Sequence, residues 1–267
     1  MGQRVQENRR AAAENLIPRI AKGDRGAFDS LYRLTADWLH AICLSVLNDR
    51  QKAEAAVQAV FHHIWTDAGQ QETSGLSALA WLVALTRAQA MGTGFAPAGG
   101  QPVPIQPGLL RQTLASLPVP QATTLIEAAQ KGRAPTDPAL LDAAVQTIAD
   151  APEDQAAAEL LAARVALGLP GATGATGADA ARVRGWQERI AVIAGDVTPV
   201  LVPARARLML DRALGHALPS DMGEIVIRGR GRPSSKGEGG GGWFWIILLA
   251  VLVIGAAAIV LWPQIAP

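Results

Sequence analysis

The run from Trp243 to Trp262, WFWIILLAVLVIGAAAIVLW, holds twenty residues without a charge, and only PQIAP follows it. A helix rises about 1.5 Å per residue, so such a run covers roughly 30 Å, the hydrocarbon thickness of a bilayer. A helix that is apolar all round must be surrounded by lipid or by the interior of a large protein. In a chain of 267 residues the pattern predicts one transmembrane helix over 243–262. Trp243, Trp245 and Trp262 stand at its two ends, where indole rings favour the headgroup level. Arg228, Arg230, Arg232 and Lys236 precede it, so the positive-inside bias predicts a cytoplasmic N-terminus, and the same cations suit anionic lipid headgroups. The opening MGQRVQENRRAAAEN is polar and charged, which leaves the terminal run as the expected targeting element.

The rest of the chain reads as helices. Period-two alternation of β-branched and aromatic residues is missing, while Ala, Leu, Arg, Glu and Gln fill the ordered-looking stretches, which predicts an all-α protein. Residues 11–94 form a first unit. Phe28, Leu31, Tyr32, Leu39, Ile42 and Val46 recur at helical steps from about Ala27 to Leu47, with Asn48 and Asp49 as a cap. Val57, Val60, Phe61, Ile64 and Trp65 make the next stripe, and after the polar loop DAGQQETSG a third carries Leu76, Leu79, Leu82, Val83 and Leu85. Three such stripes can close one small core.

Residues 95–108 are rich in Gly and Pro and read as a flexible or extended linker. Residues 109–220 follow as a second helical region, alanine-rich, broken at APTDP and DAPED, and expected to pack loosely. Within it Val183, Trp186, Ile190, Ile193 and Val197 keep strict helical spacing until Pro199, and Arg205 to Leu218 suggests a last short helix. Residues 221–242 read as a flexible basic tether.

The first unit resembles region 2 of the sigma-70 family, particularly the extracytoplasmic-function sigma factors of bacterial RNA polymerase. The resemblance covers about 75 residues, from LIPRIAKGDRGAFDSLY to ALAWLVALTRAQAM. Its anchors are Ala27-Phe28, Leu31-Tyr32, Leu47 with Asp49, Ala53-Glu54, Val57-Gln58, Val60-Phe61, Trp65, Trp81-Leu82 and Arg87. In that family the second helix meets the polymerase core, which implies a polymerase- or partner-binding set of Glu54, Gln58, Phe61 and Trp65. Ala55 and Ala59 stand where the family carries Asp and Glu. The third helix of the family engages the promoter, which implies Trp81 and Arg87 as the DNA-facing pair. Ala88 and Gly92 replace the family's Asn and Asp there, and Arg87 is the only Lys or Arg between Lys52 and Arg111. Phosphate neutralisation supplies most affinity for DNA, so this is a poor promoter surface. LLRQTLASLPVPQATTLIEAAQKGR resembles the opening of region 4, but the acidic stretch after Arg133 offers no basic recognition helix.

A later segment, ADAARVRGWQERIAVIAGDVTPVLVPARARLMLDRALG, resembles the stretch of anti-sigma-K-type anti-sigma factors that leads to their membrane helix. That resemblance implies an anti-sigma-like interface at Trp186 and Ile190. Together the two resemblances imply a regulator of bacterial transcription, single-pass in the inner membrane. Its implied partners are a sigma protein, an anti-sigma protein or the polymerase core. A tethered sigma factor that binds polymerase and promoter is the alternative.

Nothing in the sequence points to an enzyme. No nucleophile stands with a base and no phosphate loop follows a strand. The adjacent His62 and His63 point about 100° apart on a helix, and the single cysteine, Cys43, sits on an apolar stripe, so neither a metal nor a cofactor is expected.

Overall fold

The computed structural model describes residues 2–95, 99–101, 103–169 and 179–202, apart from the side chains of residues 2–4 and 6. The chain divides into two units, Met1–Ser220 and Asp221–Pro267, and all the described residues belong to the first. They form ten helices and no strand: α1 (Gly2–Ile20), α2 (Arg25–Leu47), α3 (Arg50–Asp67), α4 (Gln70–Ser74), α5 (Ala78–Met91), α6 (Pro107–Ser116), α7 (Val119–Lys131), α8 (Pro138–Ala149), α9 (Glu153–Leu167) and α10 (Ala180–Gly195).

Helix ends follow local chemistry. Asp24, Asp49, Ser77, Asp137 and Asp179 each accept a backbone N–H of the helix they precede, which satisfies one of the donors a helix leaves open at its start. Asn48 and Asp150 close α2 and α8 in the left-handed conformation, a role that tolerates Asn and Asp better than other residues with a Cβ. The polar loop expected after Trp65 contains the one-turn α4, ended by Gly75 at φ +69°.

The core is one continuous cluster that draws on both halves of the chain. Ala13, Leu16, Ile17 and Ile20 of α1 join the stripes of α2, α3 and α5. Phe61 is fully buried, meeting Tyr32 edge-on at 4.9 Å and Phe28 at 6.1 Å between centroids, and Trp65 meets Phe28 at 5.4 Å. Cys43 is buried in the same cluster, where burial pushes its thiol up to about 12. Leu125, Leu141, Val145, Leu167, Trp186 and Ile190 continue that core through α7 to α10.

Two expectations are corrected here. The second helical region is not loosely packed: α10 lies against α5, α7 and α9, because its stripe has no other apolar surface to cover and α5 offers one. The fold also gains no membrane-spanning element: among the described residues no helix is long and apolar enough to cross a bilayer. The longest, α2, carries Arg25, Asp29, Arg33 and Asp37 and spends its apolar face on the core. The single-pass placement in the inner membrane is corrected on the same finding. The run with Trp243, Trp245 and Trp262, the basic residues Arg228, Arg230, Arg232 and Lys236, and the short helix expected over 205–218 all lie outside the described residues.

Phe61→Ala should destabilise the protein by about 3–5 kcal/mol in a chemical denaturation series, since it empties a fully buried aromatic site, whereas Gln58→Ala on the exposed face of α3 should stay within about 0.5 kcal/mol.

Candidate functional site

Helix α3 buries Ala53, Val57, Val60, Phe61 and Ile64 and turns its other side to solvent. Glu54 is half-buried, Gln58 and His62 are exposed, and the three follow one another at four-residue steps along one ridge. Of the four residues assigned to partner binding, Glu54 and Gln58 therefore stand on the open face, Trp65 is half-buried at its edge, and Phe61 is interior. The elements α3 packs against are α1, α2 and α5, all from the first half of the chain.

Helix α5 has no comparable open face. Residues 78–83, 85–88 and 90 are all buried, among them Trp81 at 0% and Arg87 at 2% exposure. The pair assigned to DNA is thus enclosed. Trp81 is ringed by His63 and Phe95 at 6.4 and 6.2 Å between centroids, so the first residue of the Gly/Pro segment lies against it. Arg87 reaches across the core and its Nη2 donates to the carbonyl of Leu167 at 2.9 Å, the last residue of α9. That carbonyl has no partner within its own helix, and the C-terminal end of a helix carries partial negative charge, so a cation suits it. Among the described residues no carboxylate accompanies the guanidinium, and burial lowers its pKa to about 10, which still leaves it charged at neutral pH. Its Nη1 has no partner among the described residues. Met91, at the end of the same helix, fills the space beside Gly132 and Gly168, which end α7 and α9 at φ +62° and +70°.

Four helices enclose α5: α1, α2 and α3 from the first half of the chain, and α10 from the second. Trp186 is fully buried and its Nε1 donates to Glu159 Oε2 at 2.7 Å, while Arg189 stacks over the indole at 4.9 Å. Ile190 is 2% exposed. Both residues of the expected anti-sigma-like interface are therefore used within the chain. Glu188, two residues on from Trp186, accepts from Ser77 at both carboxylate oxygens, from the backbone N–H at 2.5 Å and from the hydroxyl at 2.8 Å. Ser77 is the N-cap of α5, so Glu188 places a carboxylate at the positive end of that helix. Burial nevertheless raises the Glu188 pKa above the ordinary glutamate value, because desolvation outweighs the bonds from Ser77.

Two more ties hold α10 down. Arg184 donates to the carbonyl of Gly99, and a Cβ at Gly100 would fall 2.8 Å from its guanidinium carbon, so the Gly-Gly pair is what lets the linker pass over it. Trp38 Nε1 of α2 donates to the carbonyl of Gly195 at 2.9 Å. Beyond α10 the chain runs along α2, where Val200 N donates to the Asp37 carbonyl at 3.2 Å and Val202 N to Asp37 Oδ1 at 2.9 Å. Glu188, Ser77, Asp37 and Trp38 escaped the sequence reading. Ser77 was findable as a cap before an apolar run; the others act through partners more than one hundred positions away. Among the described residues no group of three or more His, Cys, Asp or Glu side chains could hold a metal.

These helices include a sigma-like region. A stretch of 76 residues, 28% of the chain, is 29% identical to the ECF RNA polymerase sigma factor SigK of Mycobacterium tuberculosis and of Mycobacterium bovis, and the same holds for that of Mycobacterium ulcerans. The relationship is distant, and the matched stretch covers 41% of the length of those curated relatives. No family model matches the chain and no solved structure matches it.

A folded-state pKa raised above the unfolded one means that the folded protein holds the Glu188 proton longer, so stability falls as pH rises from the ordinary glutamate range through the raised pKa. Glu188→Gln cannot ionise. Its stability relative to the parent should therefore improve across that window and level off above it, as read from urea midpoints at a series of pH values.

Proposed function

We propose that this chain is a sigma-like regulator of bacterial transcription that works through protein–protein contacts. The sigma-like helices α1 to α5 offer the ridge of Glu54 and Gln58 on α3, with Trp65 at its edge, to the polymerase core or to a sigma or anti-sigma protein. The anti-sigma-like α10 stays in cis, seated over α5 through Trp186, Ile190 and Glu188. The observation that carries this reading is the contrast between the two faces: α3 is open, whereas Trp81 and Arg87 on α5 are 0% and 2% exposed. A closed α5 has no surface for a promoter, and a lone arginine engaged with the end of α9 adds no free cation for phosphate.

A second reading is a sigma factor that initiates transcription once α10 is lifted. The distant relatives favour it, since they are sigma factors themselves. The substitutions of Ala55 and Ala59 on α3 and the scarcity of cations around Arg87 count against it.

The two readings part in a reconstituted assay with purified polymerase core. Under the first, the full-length chain binds core, or a sigma or anti-sigma protein recovered from extract, and supports no promoter-dependent initiation. Glu54→Arg together with Gln58→Arg should weaken that binding about tenfold with little change in melting temperature, as expected when one charge is reversed and another added on an interface open to solvent. Initiation from a defined promoter by the full-length chain would sink the first reading, and recovery of none of the three partners would sink both.

A further inference from the structure

A cavity of about 260 Å3 opens at the seam between the two halves of the molecule, bounded by α1, the N-terminal turn of α5, the start of α6 and the middle of α10. That volume lies just below the range for drug-sized ligands, roughly 300–1,000 Å3, and suits a smaller molecule. Its walls are mixed. Leu79, Ile105 and Val192 supply an apolar floor, and four charged side chains, Glu7, Arg10, Arg111 and Glu188, stand around it.

The charges do not balance locally. Arg10 is paired with Glu14 at 3.1 Å, and Arg111 holds Asp196 through Nε at 3.1 Å and Nη2 at 3.2 Å. Each arginine of the cavity thus already has a carboxylate partner that is not part of the lining. Glu7 and Glu188 have no ion-pair partner among the described residues; Arg10 is near enough to favour the Glu188 charge, but it is engaged with Glu14, whose own charge opposes that of Glu188. Glu188 is 4% exposed, so a carboxylate lining the cavity is kept out of water with Ser77 as its hydrogen-bond donor and no cation of its own. A buried carboxylate in that position gains most from a positive charge brought to it.

We propose that this cavity is a binding site for a small organic cation, an amine with an apolar body, whose ammonium pairs with Glu188 and Glu7 while the body lies on Leu79, Ile105 and Val192. An anion is disfavoured because it would meet those two carboxylates while the arginines stay committed to Glu14 and Asp196. The ligand touches α1, α5, α6 and α10 together, so binding tightens the seam by which α10 covers α5. Whether that tightening bears on transcription rests on the function proposed above; binding itself does not.

The test uses the purified full-length chain with hexylamine, and with 1-hexanol and hexanoate as matched neutral and anionic probes, in calorimetric titration and thermal denaturation. Hexylamine should bind at one site, raise the melting temperature and slow hydrogen exchange in α5 and α10 but not in α8. The other two probes should bind at least about tenfold more weakly, the difference expected when a desolvated charge pair is lost. Glu188→Gln should cost about tenfold in hexylamine affinity. Glu7→Gln, at an exposed position that the fold does not depend on, should cost a few-fold, roughly the worth of a solvent-facing ion pair. Ile105→Trp, which fills the cavity from the linker, should abolish binding. Absence of hexylamine binding at millimolar concentration, equal binding of hexanol or hexanoate, or undiminished affinity in Glu7→Gln would each overturn the proposal. None of these outcomes bears on polymerase or sigma binding, which is read separately.

Discussion

The contact on which the rest depends is the seating of α10 on the start of α5. Helix α5 is apolar on nearly every side, with eleven of its fourteen residues buried, and such a helix needs neighbours all round. Helices α1, α2 and α3 cover part of it, and α10 covers much of the remainder. Glu188 fixes that position by bonding the N-cap Ser77, and Arg87 fixes the other end of α5 against the last carbonyl of α9. One helix is thus held at both termini by residues from the second half of the molecule. Polar groups at both ends of an otherwise apolar interface define its register, because a shift along the axis would leave a buried charge without its partner.

This arrangement gives the two halves of the sequence different fates. The ridge on α3 keeps its exposure because its buried stripe is satisfied by α1, α2 and α5 alone. The face of α5 that would be free in a shorter protein is instead absorbed into a common interior. A protein built this way can meet a partner through α3 without disturbing its core, whereas any contact to Arg87 or Trp81 requires opening that core. The energetic separation of those two events is the physical content of the proposed regulation.

Much of this was legible in the sequence. The stripes of α2, α3 and α5 and the helix around Trp186 follow from helical periodicity, and the cap at Asp49 is a local signal, whereas α10 ends at Gly195 with Asp196 as its cap, four residues short of the Pro199 stop. The outward position of Gln58 follows from the same periodicity. What could not be read was where the stripe of α10 would go, since periodicity says that a face is buried and not against what. Trp81 and Arg87 illustrate the loss: periodicity alone does not show that Phe95 of the Gly/Pro segment folds against Trp81, or that Arg87 reaches the last carbonyl of α9. The Gly/Pro segment was misleading for a related reason. Its glycines look like flexibility, yet Gly100 stands where any side chain would collide with Arg184. The expectation of a bilayer span came from residues that the described fold does not include, and the helices that it does include spend their apolar faces on one another.

The strap along α2 carries a consequence in time. Trp38 bonds a carbonyl 157 positions further on, and Asp37 receives an amide 165 positions further on. Contacts of such separation close late, and a ribosome delivers the N-terminal half first. Each newly made copy therefore passes through an interval in which α1 to α5 have emerged and α10, which covers the rest of α5, has not yet been synthesised. The closed state is reached anew in every molecule, once α10 and the strap behind it have emerged.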